Sequence, residues 1–187
     1  MSEAHQRSKQ PEFVRARLID VAIDLIVERG YESLTLDKVA KSAGVSKGGL
    51  QHHFSSKAVL LSAVCDFLCD QFEPLFEELL LDEPKGPKQF SRAYIKACFK
   101  ATNPTHLKAM LVLTLALPDF AKRQGDWLRE LMKQESELYP SIAKTMLLCR
   151  FASDGLIIAE TSGVLSFNDH ERTELMNSLL SMVDALD

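Results

Sequence analysis

Lys47, Gln51, His52, His53 and Lys57 crowd one short stretch of a 187-residue chain, and each offers a hydrogen-bond donor. The sequence around them has no nucleophile elbow, no phosphate loop and no zinc-binding helix. Lys47-Gly48-Gly49 lacks both the spacing and the preceding strand of a P-loop. His52 and His53 are adjacent, so they point in different directions and do not have the spacing of a metal pair. No catalytic residue, metal site or cofactor is expected. The chemistry left to these side chains is recognition, with donors that suit phosphate oxygens and the acceptor edges of bases.

Two short helices hinged at Gly44 would position these donors. Thr35 can cap the first, with Asp37 in its opening turn, and Val39, Ala40 and Ala43 form an apolar face at helical spacing. Gly44 is the residue type that accepts left-handed backbone at a helix end, and Val45 plugs the turn. Ser46 caps the second helix, whose Leu50 and Phe54 point inward and leave Lys47, Gly48, Gln51 and His52 outward. Such an outer face suits a DNA groove, and the pattern is a helix-turn-helix. Candidate DNA-binding residues are Thr35, Ser46, Lys47, Gly48, Gly49, Gln51, His52, His53 and Lys57. Lys47 can reach guanine acceptors, while Lys57, at the start of the following helix, can face phosphate. Adjacent glycines cost about 1 kcal/mol each against alanine in a helix, so DNA is expected to complete the ordering of this element.

The rest of the chain reads as helix. One helix spans about Glu12–Arg29, with Leu18, Ala22 and Leu25 at helical spacing, and Gly30 ends it. The residues before it read as a polar arm whose Arg7 and Lys9 can reach a neighbouring groove. A long helix starts near Ser56 and carries Pro74, which can kink it. Two prolines and a glycine in Leu81–Lys88 break the chain. Further helices follow at about Lys88–Ala101, Thr105–Leu117, Asp119–Leu138, Ser141–Gly163 and Asp169–Leu186. No segment alternates as a strand does, so the expected fold is all-α with about nine helices. Residues 1–55 would form the arm and DNA-binding head, and residues 56–187 a helical body.

Composition narrows the setting. The chain is 46% apolar and 26% charged, as ordinary globular proteins are. A net charge of −4 argues against coating nucleic acid generally, but through Lys57 nine basic residues face seven acidic ones. A protein that touches phosphate at one end only fits that asymmetry. Met1–Gln10 lack the apolar core of a secretion signal and Ala109–Leu117 is too short to span a bilayer, so cytoplasm and no membrane are expected. Cys65, Cys69, Cys98 and Cys149 form no metal pattern and read as reduced, buried thiols, with a thiol-reactive sensor the alternative.

The last two helices are apolar on more than one face. Ile142, Met146 and Cys149 lie to one side of the first, while Phe151 and Ile158 drift round to another. The final helix offers Leu175, Leu179, Met182 and Leu186, with Met176, Leu180 and Val183 beside them. Burial from two directions is expected to come from the chain's own core and a second copy, giving a two-fold four-helix bundle and a homodimer, with a helix lying deep in a monomer core as the alternative. In the middle of the chain Phe67, Phe72, Phe76, Phe99, Met110 and Trp127 could line an apolar cavity, with His106 or Arg123 as a polar anchor. Such a cavity would take a hydrophobic or amphipathic small molecule. Asp154 needs a partner inside an apolar helix, and Arg150, one turn earlier, is available.

Glu28-Arg29-Gly30-Tyr31, Thr35, Val39 through Gly48, Leu50, His53-Phe54 and Ser56-Lys57 together resemble the TetR family of bacterial transcriptional regulators. The likeness covers about Leu18 to Leu61, and Asp154-Gly155-Leu156 is similar to an element of many members. It implies DNA binding by the first three helices, a ligand pocket in the middle helices and a dimer interface on the last two. It also implies that ligand alters the spacing of the two DNA heads and releases the operator. Gln51 departs from the family's usual tyrosine and Gly49 from its threonine or serine. The expected function is therefore a homodimeric, ligand-responsive regulator of double-stranded operator DNA, most simply a repressor. The alternative is a small-molecule-binding or scaffold protein whose DNA head has weakened.

Overall fold

The computed structural model describes residues 3–101 and 103–186, the side chains of 3–10 and 134 excepted. Good helix formers without a glycine fill the start of the chain, and they continue α1 (Glu3–Arg29) well ahead of Glu12. The expected arm is thus largely helix: its polarity does not oppose helix formation. Arg7 and Lys9, whose groove contact was expected, have side chains outside the described residues. Gly30, at φ 76°, ends α1, and one 3-10 turn (Tyr31–Ser33) leads into α2 (Leu36–Ala43) and α3 (Lys47–His53). The body follows as α4 (Lys57–Asp82), α5 (Gln89–Lys100), α6 (Pro104–Ala116), α7 (Pro118–Leu138), α8 (Pro140–Thr161) and α9 (Asp169–Asp184). The fold is all-α, with nine α-helices among the described residues. α6, α7 and α8 each begin on a proline, whose fixed φ suits the first helical position, one residue before the sequence-based start. α4 runs on past Pro74 to Asp82.

Two apolar cores organise these helices. The first packs Leu18, Ile23 and Ile26 of α1 against Val39, Leu50 and Phe54, and extends along α4 through Leu60, Val64 and Leu68. Ala109 and Leu113 of α6 close it, so this core does not stop at residue 55. The second gathers Phe76 and Leu79 of α4, Ile95 and Cys98 of α5, Leu156 of α8, and Leu180 and Val183 of α9. α4 belongs to both, and joins the head to the body as one rod.

Two polar clusters fix the body. Glu83, buried in the turn after α4, pairs with Arg92 at 2.7 Å and with Lys96, and Arg92 reaches on to Asp184 of α9 at 2.6 Å. Deeper in, the Ser91 hydroxyl donates to Glu135 Oε1 at 2.8 Å, while Arg150 Nη1 lies 2.7 Å from Glu135 Oε2. The second contact is a close charge pair without the alignment of a hydrogen bond. Arg150 therefore turns to α7 and is not the direct partner of Asp154, as helical spacing had suggested. Asp154 instead accepts from the Tyr94 hydroxyl at 2.6 Å.

Candidate nucleic-acid interface and internal cavity

Local sequence builds the head almost unaided. The Thr35 hydroxyl caps α2 by accepting from Lys38 N at 3.3 Å, and Gly44 closes it at φ 71°. Ser46 caps α3 by accepting from Gly49 N at 3.0 Å, and Phe54 N closes the other end on Leu50 O at 2.9 Å. α3 is thus a doubly capped helix that the two glycines do not interrupt. Leu50 and Phe54 lock it to the core, and Arg15 lies 5.3 Å over the Phe54 ring. Lys47, Gly48, Gly49, Gln51 and His52 are left exposed, and His53 is half-buried with its ring tilted against Phe54. A Cβ at Gly48 would meet nothing within 4 Å, whereas one at Gly49 would stand 3.2 Å from the Ser46 cap oxygen.

The two singled-out lysines differ in their partners. Lys47 Nζ makes an exposed pair with Asp37 of α2 at 3.0 Å, a contact easily exchanged for another anion. Lys57 Nζ donates to the carbonyls of Tyr31 and Glu32 at 3.1 and 3.2 Å and sits 5.3 Å over the Tyr31 ring. It ties α4 to the turn after α1. Nothing in the local pattern signals that use, because the carbonyls lie some twenty-five residues upstream.

A half-open cavity of about 440 Å³ lies among α4 to α8. Phe72, Met110 and Trp127 line it, as sequence reasoning expected. Phe67 does not: it packs against the head core and meets the His106 ring edge to face at 5.3 Å. His106 is occupied by that contact and does not line the cavity. Phe99 is buried in the second core under Arg172, and Phe76 stands behind Trp127 at 5.4 Å between ring centres. Arg123, the other expected anchor, pairs with Asp66 at 2.5 Å. The polar groups that do reach the cavity include Asp154, Tyr94, Glu73, Thr114, Gln124 and Thr161. The Thr114 hydroxyl lies within hydrogen-bonding distance of both Met110 O and Gln124 Oε1, at 2.7 Å each. Among these, Asp154 alone carried a sequence signal, as a charge in an apolar helix.

Burial and charge set the chemistry of this wall. Burial pushes Asp154 above the usual carboxylate range, against the Tyr94 hydrogen bond and the charge of Arg150. The same desolvation, with Cys69 and Asp66 nearby, raises Cys65 to about 11, and it also raises Cys69, Cys98 and Cys149. All four cysteines are free and buried. With so little thiolate at neutral pH, they are poorly suited to reactive sensing.

On the outer side of the body, Leu148, Phe151, Ala152, Gly155 and Ile158 form an exposed stripe along α8, with Phe151 55% exposed. Leu175 and Met182 are exposed on α9, while Leu179 and Leu186 are half-buried. Met176, Leu179, Leu180 and Val183 pack into the chain's own second core. Ile158 also reaches the cavity wall.

A family model described as "Bacterial regulatory proteins, tetR family" matches residues 18–64, and one described as "Tetracyclin repressor-like, C-terminal domain" matches residues 88–184. The chain belongs to the TetR family of bacterial transcriptional regulators. This TetR-family chain is 38% identical over 61 residues to the HTH-type transcriptional regulator SrpR of Pseudomonas putida, covering 33% of this chain and 29% of that one. It is 28% identical over 117 residues to the HTH-type transcriptional repressor KstR2 of Mycolicibacterium smegmatis, covering 63% and 54%. The chain thus spans at most about half the length of these two relatives. Its fold is similar to that of a TetR-like transcriptional regulator from Rhodococcus sp. RHA1, with TM-score 0.70, 17% identity and coverage of 91% and 93%. It is also similar to Mycobacterium smegmatis AmtR, with TM-score 0.67, 20% identity and coverage of 92% and 86%.

Proposed function

We propose that this regulator works as a homodimeric repressor, released from operator DNA when a small hydrophobic or amphipathic molecule enters the cavity. The observation that carries this reading is α3 itself: a capped helix locked by Leu50 and Phe54, with Lys47, Gly48, Gly49, Gln51 and His52 exposed. Each copy lays α3 in a major groove, with Ser46 and Thr35 holding the helix ends near phosphate and half-sites about 34 Å apart or a multiple of it. The exposed stripe of α8, with Leu175 and Met182 of α9, supplies the face for the second copy. No helix among the described residues is long and apolar enough to cross a membrane, which is compatible with a cytoplasmic setting.

A gel-shift on the DNA upstream of its own gene tests the reading. A shifted complex that weakens with salt is expected; absence of any complex at low salt overturns it. A second reading, the same fold with a weakened DNA head, is favoured by Gln51 and by the engagement of Lys57 with backbone carbonyls. Replacing Lys47 with alanine separates the two: operator affinity falls under the first reading and does not change under the second.

A further inference from the structure

The cavity wall carries two carboxylates, Asp154 and Glu73, and among the described residues that line it there is no lysine, arginine or histidine. Cations around the wall are engaged elsewhere: Arg129, beside the lining residue Gly125, pairs with Asp126 at 2.5 Å. Arg150 is held 2.7 Å from Glu135, and Arg123 is turned to Asp66. Arg123 still lies close enough to act on Glu73, and Arg150 on Asp154; Asp154, which accepts from Tyr94 of the ring cluster, is the carboxylate that matters here. Its one described hydrogen bond comes from the neutral Tyr94 hydroxyl.

Aromatic rings share the cavity wall with this carboxylate. Phe72 meets Tyr94 edge to face at 5.8 Å and Trp127 at 6.0 Å, and all three rings line the cavity. Ring faces are the negative part of an aromatic quadrupole and attract cations within about 6 Å, tryptophan most strongly. An anion entering the cavity would meet two carboxylates with no basic side chain in the wall. A neutral ligand would expel water from Asp154 and leave only the charge of Arg150, itself held by Glu135, to offset it, which disfavours the ionised form. A cation with apolar substituents satisfies the rings and the carboxylate together.

We propose that the effector cavity selects a lipophilic cation, seated against Trp127 and Phe72 with its charge directed to Asp154. This rests on reading the cavity as the effector site of a repressor.

The test uses two probes of nearly the same size and shape and of opposite charge, tetraphenylphosphonium and tetraphenylborate. Trp127 is the chain's single tryptophan, so its fluorescence reports binding in the cavity itself and not on the acidic surface. The phosphonium should produce a saturable change with an affinity at least tenfold better than the borate. Asp154→Asn should cut phosphonium affinity at least tenfold and narrow the gap between the probes, with Glu73→Gln having the smaller effect. The comparison of the two probes on the unmodified chain does not depend on any variant folding. Equal or tighter borate binding, or a phosphonium affinity unchanged in Asp154→Asn, overturns the proposal. A gel-shift on the same preparations keeps the two readings apart. Operator binding without cation preference removes this inference alone, while cation preference without operator binding removes the repressor.

Discussion

Lys47 and Lys57 show how much a side chain's role depends on what else is within its reach. Lys47 rests on an exposed aspartate, and a surface pair of this kind contributes at most about 1 kcal/mol, so phosphate or a guanine edge competes with it easily. Lys57 instead satisfies two carbonyls left open after α1. Lys47→Ala should therefore weaken operator binding about tenfold, within the range of one good base contact, and leave the melting temperature unchanged. Lys57→Ala should destabilise the head by about 1–2 kcal/mol, seen as an earlier melt before any DNA is added. Asp154 presents the opposite balance. Burial raises its pKa, so between the ordinary carboxylate value and the raised one the folded chain holds a proton that the unfolded chain has lost. Stability from this residue is full at low pH and declines as pH rises through that window. Asp154→Asn, which can still accept from Tyr94, should melt higher than the parent at pH 8, with the advantage shrinking toward pH 4. Thermal denaturation across that range checks it.

At the scale of elements, the junction of α4, α5 and α9 depends on Glu83. Burial works against its charge, but hydrogen bonds from Lys96 and Arg92 more than offset this and hold it below its ordinary value. Its contribution is present above the ordinary glutamate pKa and is lost as pH falls through the depressed one. Glu83→Gln should cost about 2 kcal/mol at pH 7 by urea denaturation, and the difference from the parent should close below about pH 4. The elements themselves were legible where their signals are local. Thr35, Ser46, Gly30 and Gly44 cap or end helices through neighbours a few residues away, and they do so as expected. The start of α1 was misplaced because polarity alone does not stop a helix. The cavity was half legible. Phe72, Met110 and Trp127 could be named from residue type, whereas Tyr94 and Gln124 depend on which helices meet. Arg150 illustrates the limit: within α8 its natural partner is Asp154, and only the packing of α7 supplies Glu135.

For the molecule as a whole, the exposed stripe on α8 is the feature a single copy leaves unexplained, since Leu148, Phe151 and Ile158 lie open around the small residues Ala152 and Gly155. Phe151→Glu should convert a dimer to monomer by light scattering at micromolar concentration, and weaken operator binding by at least tenfold because the two heads then bind independently. A melt of this variant unchanged at high dilution would separate lost pairing from lost folding. The Ser91–Glu135–Arg150 cluster bears on what such a molecule can do once something enters the cavity. Arg150 cannot rotate away without stranding a buried carboxylate, so α8 is not free to roll about its own axis. It can tilt or slide only by carrying α7 and the start of α5 with it. Under the proposed release mechanism, a displacement at the ring cluster should then pass to the head along α4, the helix that both cores share.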